Sequence, residues 1–481
     1  MTSRSGGLLE LVARGKKDVF FTANPVVAYI HSVYMRAAPF TKEVYTSEPR
    51  NAPEWGKWVD FNIEHRGDIV RQFYLRVDLP TWLPAEAAVA NRKGIVSDSS
   101  GVTYGWTNNI GFQMIDKLQV FEDQILIHEL YGEQLEWRLR QSNQLATTLV
   151  LAGQVGNRPE TPLGIARSAT FGQLRVPLPI IGWQHIDDPG FPTVALRAQR
   201  YKIRIWLKPL SSLIVASDYR IAPQPWDGVP LWVQATATGD VDTSMVTLHK
   251  SVMNNLGLSL ETTQLYLPAD VNLYLKSTVL RFPFMTAQFQ QYTIEDNTMT
   301  AAFFSPAGSI NYPMAIDFIG SVRRLFLGFR TEANTQAGDL TNLRPPGPGL
   351  TATNQVGLIV PNFITSLRLN IANIDRVKSW PVAVFREVTS YWKSIRMALD
   401  LVDANIPEEI YTITFGGYDS GDPAGTLNFT RATNPMIYLV LNGIPYDKRI
   451  VSRKTFALLY AESWNVFEIS NGRGRCMFND S

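Results

Sequence analysis

The chain has 481 residues, 45% hydrophobic and 18% charged. That is enough apolar material for a sizeable core and a length that suggests roughly two to four domains. Forty-five Lys and Arg balance 43 Asp and Glu, which argues against a protein whose main task is to grip nucleic acid and against an acidic interaction tail. The single cysteine, Cys476, excludes an intrachain disulfide, fits a reducing compartment, and reads as a small buried hydrophobe rather than a nucleophile.

The first segment, Gly6 to Pro25, starts as a helical turn and ends as the start of a strand. Its apolar residues are interrupted by Glu10 and Arg14 and followed by Lys16-Lys17-Asp18, so it lacks the uninterrupted apolar stretch of a secretory signal. Gly15-Lys16-Lys17 lacks the earlier glycine and following Ser/Thr of a phosphate loop. A short amphipathic arm remains: Leu8, Leu11 and Val12 share spacings of three and four, and Asp18 is placed to bond backbone N–H groups and turn the chain. No uncharged apolar run is long enough to span a bilayer.

Beyond the arm the dominant period is two. Val59, Phe61 and Ile63 alternate with Asp60, Asn62 and Glu64; Arg66-Gly67-Asp68 reads as a turn; Phe73, Leu75, Val77 and Leu79 then alternate with polar residues. This is a hairpin with one dry and one wetter face. The pattern recurs at Ile203–Leu207, Leu367–Ile371 and Tyr411–Phe415, and Met436–Leu441 is apolar throughout, as a central strand would be. Helical patterns are confined to Glu129–Ser142, where Tyr131, Leu135 and Leu139 stack at a spacing of four, and Val382–Leu399. Each comes after a similar strand: Ile115-x-x-Leu118-x-Val120 with Ile125 ten residues on from Ile115, and Ile364-x-x-Leu367-x-Leu369 with Ile374 ten residues on from Ile364. Such a duplication, about half the chain apart, predicts two domains of one topology. Long loops are expected at 84–105, 209–262 and 332–354. Many strands, short turns and few helices point to all-β sandwiches or barrels.

Motifs for chemistry are missing. His128-Glu129 opens like a zinc-protease motif, but Gly132 stands where the second histidine is needed. The five histidines, His31, His65, His128, His185 and His249, have no metal-ligand spacing. Asp187-Asp188 before Pro189-Gly190 reads as a turn opener rather than an acid/base pair. No nucleophile elbow or dinucleotide fingerprint is present. Asn428-Phe429-Thr430 matches a glycosylation sequon but reads as strand or turn. The expectation is no enzyme, no cofactor and no metal.

Taken in order, several segments resemble the double jelly-roll major capsid proteins of nucleocytoplasmic large DNA viruses. Gly6-Gly7-Leu8-x-x-Leu11-Val12-Ala13-x-Gly15-x-x-Asp18-Val19 with Thr22-x-Asn24-Pro25 is similar to that family's N-terminal signature, and Val26–Met35 occupies the place of its first strand. Arg66-Gly67-Asp68-Ile69, Val176-Pro177-Leu178 and Pro192–Leu207 resemble its first jelly roll. Leu427-Asn428-Phe429-Thr430-Arg431 and Trp464-Asn465-Val466-Phe467-x-Ile469-Ser470-x-Gly472-x-Gly474 resemble its second. The resemblance implies an all-β chain of two consecutive eight-stranded antiparallel jelly rolls with short helices and long loops: an arm at 1–19, a first jelly roll at 20–270 and a second at 271–481. Their joint falls near Pro268-Ala269-Asp270, where a strand through Leu265 and Leu267 gives way to another through Val271, Leu273 and Leu275. It also implies a structural subunit of an icosahedral virion shell, assembled in the host cytoplasm from pseudohexameric homotrimers. Partners would be the chain itself, neighbouring capsomers, and minor capsid and penton proteins, with no direct nucleic acid contact and at most indirect contact with an inner membrane. Leu8, Leu11, Val12 and Asp18 would form the assembly arm, packing on a neighbouring base or an underlying protein. A minor capsid or scaffold paralogue, or a carbohydrate-binding jelly roll, are the alternatives.

Overall fold

A computed structural model describes residues 39–80, 104–141, 151–159, 162–184, 188–196, 199–216, 225–226, 229–230, 255–295, 297–298, 305, 308–336, 338–341, 343, 364–385, 410–415, 425–442 and 454–478. In chain order the strands of the first half are β1 (Thr41–Ser47), β2 (Trp58–Asn62), β3 (Ile69–Asp78), β4 (Tyr104–Trp106), β5 (Ile115–Glu122), β6 (Ile125–Tyr131), β7 (Gln173–Pro177), β8 (Tyr201–Leu207), β9 (Ile214–Ala216), β10 (Pro225–Trp226), β11 (Val229–Pro230) and β12 (Gly257–Tyr266). Those of the second half are β13 (Leu280–Ile294), β14 (Ser309–Ala315), β15 (Ser321–Thr331), β16 (Ile364–Ile371), β17 (Ile374–Pro381), β18 (Ile410–Thr414), β19 (Leu427–Asn428), β20 (Met436–Asn442), β21 (Thr455–Ser470) and β22 (Arg473–Cys476).

The two halves repeat one topology. The first has sheets ordered β1-β12-β3-β7 and β2-β8-β5-β6; the second has β13-β21-β15-β18 and β14-β20-β16-β17. Taken in chain order these eight strands per half occupy matching places, and every pairing is antiparallel. Each half is a jelly roll, and the fold is a double jelly roll. The two small pairs, β4–β9 and β10–β11, lie outside this repeat.

The alternation read in the sequence places the cores. Val59, Phe61, Phe73, Leu75, Val77, Ile203 and Ile205 are fully buried between the first two sheets, and Leu325, Phe329, Leu367, Leu369, Leu439 and Leu459 between the second two. The duplicated segments are equivalent hairpins: β5 is buried at Ile115, Leu118, Val120 and Glu122, and β16 at the same four places, Ile364, Leu367, Leu369 and Ile371. A second repeat is Val70-Arg71-Gln72-Phe73-Tyr74-Leu75 of β3 against Val322-Arg323-Arg324-Leu325-Phe326-Leu327 of β15. Both carry a register shift in this stretch, between Arg71 and Tyr74 in β3 and between Val322 and Arg324 in β15.

Three expectations change. The helix after β5 is α1 (Gly132–Arg140) and starts later than Glu129. Ile125–Tyr131 pairs with β5 instead, its alternation satisfying the sheet before Gly132 lets the chain turn into the helix. Val271, Leu273 and Leu275 lie on a helix, α2 (Ala269–Ser277), not a strand. Pro268 is extended before its first turn, Asp270 sits in the first turn and Lys276 in the last, matching the helix dipole. The V-x-L-x-L alternation there had no sheet to serve, because no residue of the helix is buried. The expected loop at 209–262 ends early, since β12 begins at Gly257. Of the expected helix Val382–Leu399, Val382 to Phe385 have helical backbone and the rest lies outside the described residues, as does the expected first strand Val26–Met35.

Candidate functional site

The two jelly rolls meet along a seam that the sheet order creates. β6 is the edge of one sheet and β13 the edge of another. Unpaired edges are a liability unless covered, and here each covers the other through side chains. His128 Nε2 lies 2.8 Å from Met285 O, and Thr286 Oγ1 donates to Glu129 O at 3.0 Å. Gln184 accepts from Met285 N and donates to Met285 O, both at 2.7 Å.

Beside these edges α1 lies on the outer face of the second jelly roll. Trp137, Phe326, Ile410, Leu458 and Tyr460 form a separate apolar cluster there. Tyr131 packs on Phe289 and Tyr460, each at 5.7 Å between ring centroids, Phe289 stacks on Tyr460 at 4.7 Å, and Trp137 meets Tyr460 edge-on at 5.1 Å. Gly328 is needed because a Cβ there would lie 2.6 Å from Trp137 Cη2.

Charges are buried in the same place. Glu133 accepts from Arg330 Nη1 at 2.7 Å and from the Tyr460 hydroxyl at 3.1 Å. Arg324 pairs with Glu462, which also accepts from Gln134. Gln141 bonds Thr412 at 2.7 Å, and Arg140 pairs with Glu136. Burial and the Glu133 carboxylate push the Tyr460 hydroxyl well above its ordinary range. Buried ion pairs add little net stability but leave an uncompensated charge when the partners separate, so they fix one register.

Rotating the repeat exposes its unused halves. β1 stands where β13 stands, and Val44 on it is 64% exposed; β17 stands where β6 stands, and Ile374 and Trp380 are 65% and 47% exposed. Counting from Ile125 and Ile374, Trp380 takes the place of Tyr131. The outer face of β15 is buried from Val322 to Thr331, whereas β3 alternates. That face of the first jelly roll holds an open cleft of about 200 Å3 lined by Val44, Gln72, Tyr74, Arg175, Glu261 and Thr263, with Gln154 at its side. Arg175 pairs with Glu261 and lies 5.7 Å from the Tyr74 ring centre.

The assembly-arm residues Leu8, Leu11, Val12 and Asp18 lie outside the described residues, as do His31, His185, His249 and Asp187. His128 and Glu129, which the sequence offered as a broken zinc motif, belong to the seam. His65 is exposed beside a second cleft of about 510 Å3 lined by Glu64, Gln199, Arg200 and Tyr201. Asp188 accepts from Gln184 N at 2.6 Å, a turn contact. Asn428 accepts from Arg431 N at the start of a single 3-10 turn. Cys476 is half-buried, and burial raises its thiol to about 11. Among the described residues no group of three His, Cys, Asp or Glu could hold a metal, and no helix is long and apolar enough to cross a membrane. The seam residues Glu133, Gln134, Arg324, Arg330, Tyr460 and Glu462 were not singled out from sequence. Their signal is the run Val322–Thr331, whose arginines sit in a strand without a polar face, as happens when both faces are covered.

This fold is that of virus-shell proteins. No family model matches the chain. Capsid protein 1 of Acanthamoeba polyphaga mimivirus is 25% identical over 224 residues, 44% of this chain and 36% of that protein. The major capsid protein of Chrysochromulina ericina virus is 30% identical over 158 residues, 30% of this chain and 26% of that protein. The chain thus spans about a third or less of the length of these relatives. Among solved structures, PBCV-1 VP54 superposes with a TM-score of 0.66 at 13% identity, covering 94% of this chain and 100% of that one. The Faustovirus major capsid protein gives 0.60 at 12% identity, covering 96% of each. The sequence relatives are capsid proteins of nucleocytoplasmic large DNA viruses, and the fold is the double jelly roll of such proteins.

Proposed function

We propose that this chain is a non-enzymatic building block of an icosahedral large DNA virus shell, acting as a homotrimer with six similar lobes. The observation that carries this is the half-used seam. One copy of the β6–β13 contact is closed within the chain, and the two halves of a second copy, β17 and β1, are left exposed. A head-to-tail contact between β17 of one chain and β1 of the next is heterologous, and such contacts make a ring when the rotation closes. Three chains then supply six lobes and six seams, three internal and three between chains. The Tyr74–Arg175–Glu261 cleft would receive the segment C-terminal to β17 of the neighbouring chain, as Arg324, Phe326 and Tyr460 receive α1.

On this reading the lobes divide at 20–270 and 271–481, with 1–19 as an arm. Leu8, Leu11, Val12 and Asp18 contact neighbouring capsomers or minor and penton proteins within a virion assembled in the host cytoplasm. Light scattering of the pure protein tests the core of it: a mass near three times 54.0 kDa is expected, and a stable monomer at micromolar concentration contradicts it. Deleting residues 1–18 should keep that mass while impairing shell formation.

A further inference from the structure

His128 is a base set in the dry seam between the lobes. It is 2% exposed, and its ring stands edge-on to Phe284 with centroids 5.1 Å apart. Because Nε2 faces the Met285 carbonyl, it carries the proton of a neutral ring; Gln184 Nε2, 3.3 Å away, donates to the same carbonyl. This one side chain therefore holds an edge of the second lobe from an edge of the first.

Among the described residues no anion faces it. Glu129, next on β6, is held by Gln119 and Tyr131, each at 2.6 Å. Asp188 takes the Gln184 N–H. On the side of the second lobe, Arg323 Nη1 lies 3.4 Å from Met285 Sδ, bringing a further cation. Arg281 of β13 is paired with Glu468 of β21, and Cys476 of β22 bonds Ile127 O.

We infer that His128 is an acid-sensitive latch: its protonation puts an unpaired cation in the seam and releases β13 from β6 while each jelly roll stays folded. Desolvation lowers its pKa to about 4, whereas an opened seam would return it to its ordinary value near 6.5. The neutral ring therefore supports the closed seam fully above pH 6.5, and that support is lost as pH falls to about 4. The latch belongs to the single chain and does not depend on the trimer proposed above.

Glu122 requires control, because burial and Asp123 raise its carboxyl to about 7. It acts in the opposite direction, favouring the folded state as pH falls, so a global stability curve would mix the two groups. The readout must be local. Hydrogen exchange at the Met285 and Glu129 amides, which bond across the seam to Gln184 and Thr286, corrected for intrinsic rates, should speed up roughly 10–100-fold between pH 7 and 4.5. In His128→Gln, which keeps an amide donor for Met285 O, the same amides should show no acid response, and in Glu122→Gln the response should persist. Equal acid responses in the wild-type protein and His128→Gln, or none in the wild-type protein, would overturn the latch. Should His128→Gln fail to fold, imidazole NMR of the wild-type protein decides: His128 titrating at its ordinary value with the Met285 and Glu129 amides unchanged overturns it as well.

Discussion

Strands β6 and β17 close equivalent hairpins and stand at equivalent sheet edges, yet they live in different surroundings. β6 buries His128 and Leu130, and its Tyr131 packs into Phe289 and Tyr460. β17 has no buried residue, and Trp380, in the place of Tyr131, is 47% exposed. Both hairpins expose an isoleucine just past the turn, Ile125 and Ile374, at 67% and 65%. The turn end is thus solvent-facing in both, and the strands diverge only where β6 runs along the second lobe. A large aromatic at an exposed sheet edge is costly to leave in water and hazardous as an aggregation template. Its presence makes physical sense if the edge is covered in the working assembly.

The largest effect is expected from breaking the covered member of the pair. Glu133→Ala removes the anion that faces Arg330 and accepts from Tyr460, both buried. Leaving a buried cation unpaired should cost about 3–5 kcal/mol. Thermal unfolding should show this as a lower first transition, with the lobes separating in cooperativity. Unchanged melting would mean that the seam contributes nothing to the fold of the single chain.

Next is the uncovered member. Trp380→Glu should leave monomer stability within about 0.5 kcal/mol, since exposed substitutions of this kind are nearly neutral. The same change should weaken chain–chain association by roughly 2–4 kcal/mol, the range of a central aromatic anchor, moving the mass in light scattering from trimer to monomer. Val44→Asp, on the proposed opposite half, should do likewise. A trimer indifferent to both substitutions would remove β17 and β1 from the interface.

Gly328→Ala probes how closely α1 approaches. The new methyl would meet Trp137, so the ring must shift within a packed cluster. Overpacking of this kind costs about 1–3 kcal/mol. In the repeat, Arg76 of β3 stands where Gly328 stands. Among the described residues no equivalent of Trp137 presses on that face, which leaves room for the side chain.

How much of this was readable in the sequence varies with the physics involved. The paired sheets were legible through alternation, because a residue such as Phe73 or Leu369 is dry on one face whatever the rest of the chain does. The hairpin repeat was legible for the same reason. The start of α1 was not, because Tyr131, Leu135 and Leu139 satisfy a helix and Ile125–Tyr131 equally satisfies a strand; pairing with β5 decides. At α2, period-two leucines without any burial imitated a strand. The seam was the least legible part: Glu133 and Arg330 are nearly two hundred residues apart, and only the sheet order brings them together. The proposed arm at Leu8, Leu11, Val12 and Asp18 lies outside the described residues, so its role stands as a proposal for the deletion of residues 1–18 to test.

The smallest expected effect sharpens the comparison at a single position. Glu122 ends β5 at the place where Ile371 ends β16, and both are buried. The second lobe fills this place with a hydrocarbon, whereas the first fills it with a carboxyl whose pKa is raised to about 7 by burial and by Asp123. A raised carboxyl favours the folded state fully below its unfolded pKa near 4.5, and that advantage is lost as pH rises through about 7. Glu122→Gln should therefore match the wild-type protein below about pH 4.5, gain stability progressively from there, and level off above about pH 7 at roughly 1–2 kcal/mol, water near the carboxyl screening part of the full linkage. Melting temperatures of the two proteins across about pH 4 to 8 check this. A constant difference at every pH would mean that Glu122 is already ionised in the folded protein, and that its buried place beside Tyr201 is compensated by a partner the hairpin of the second lobe does not need.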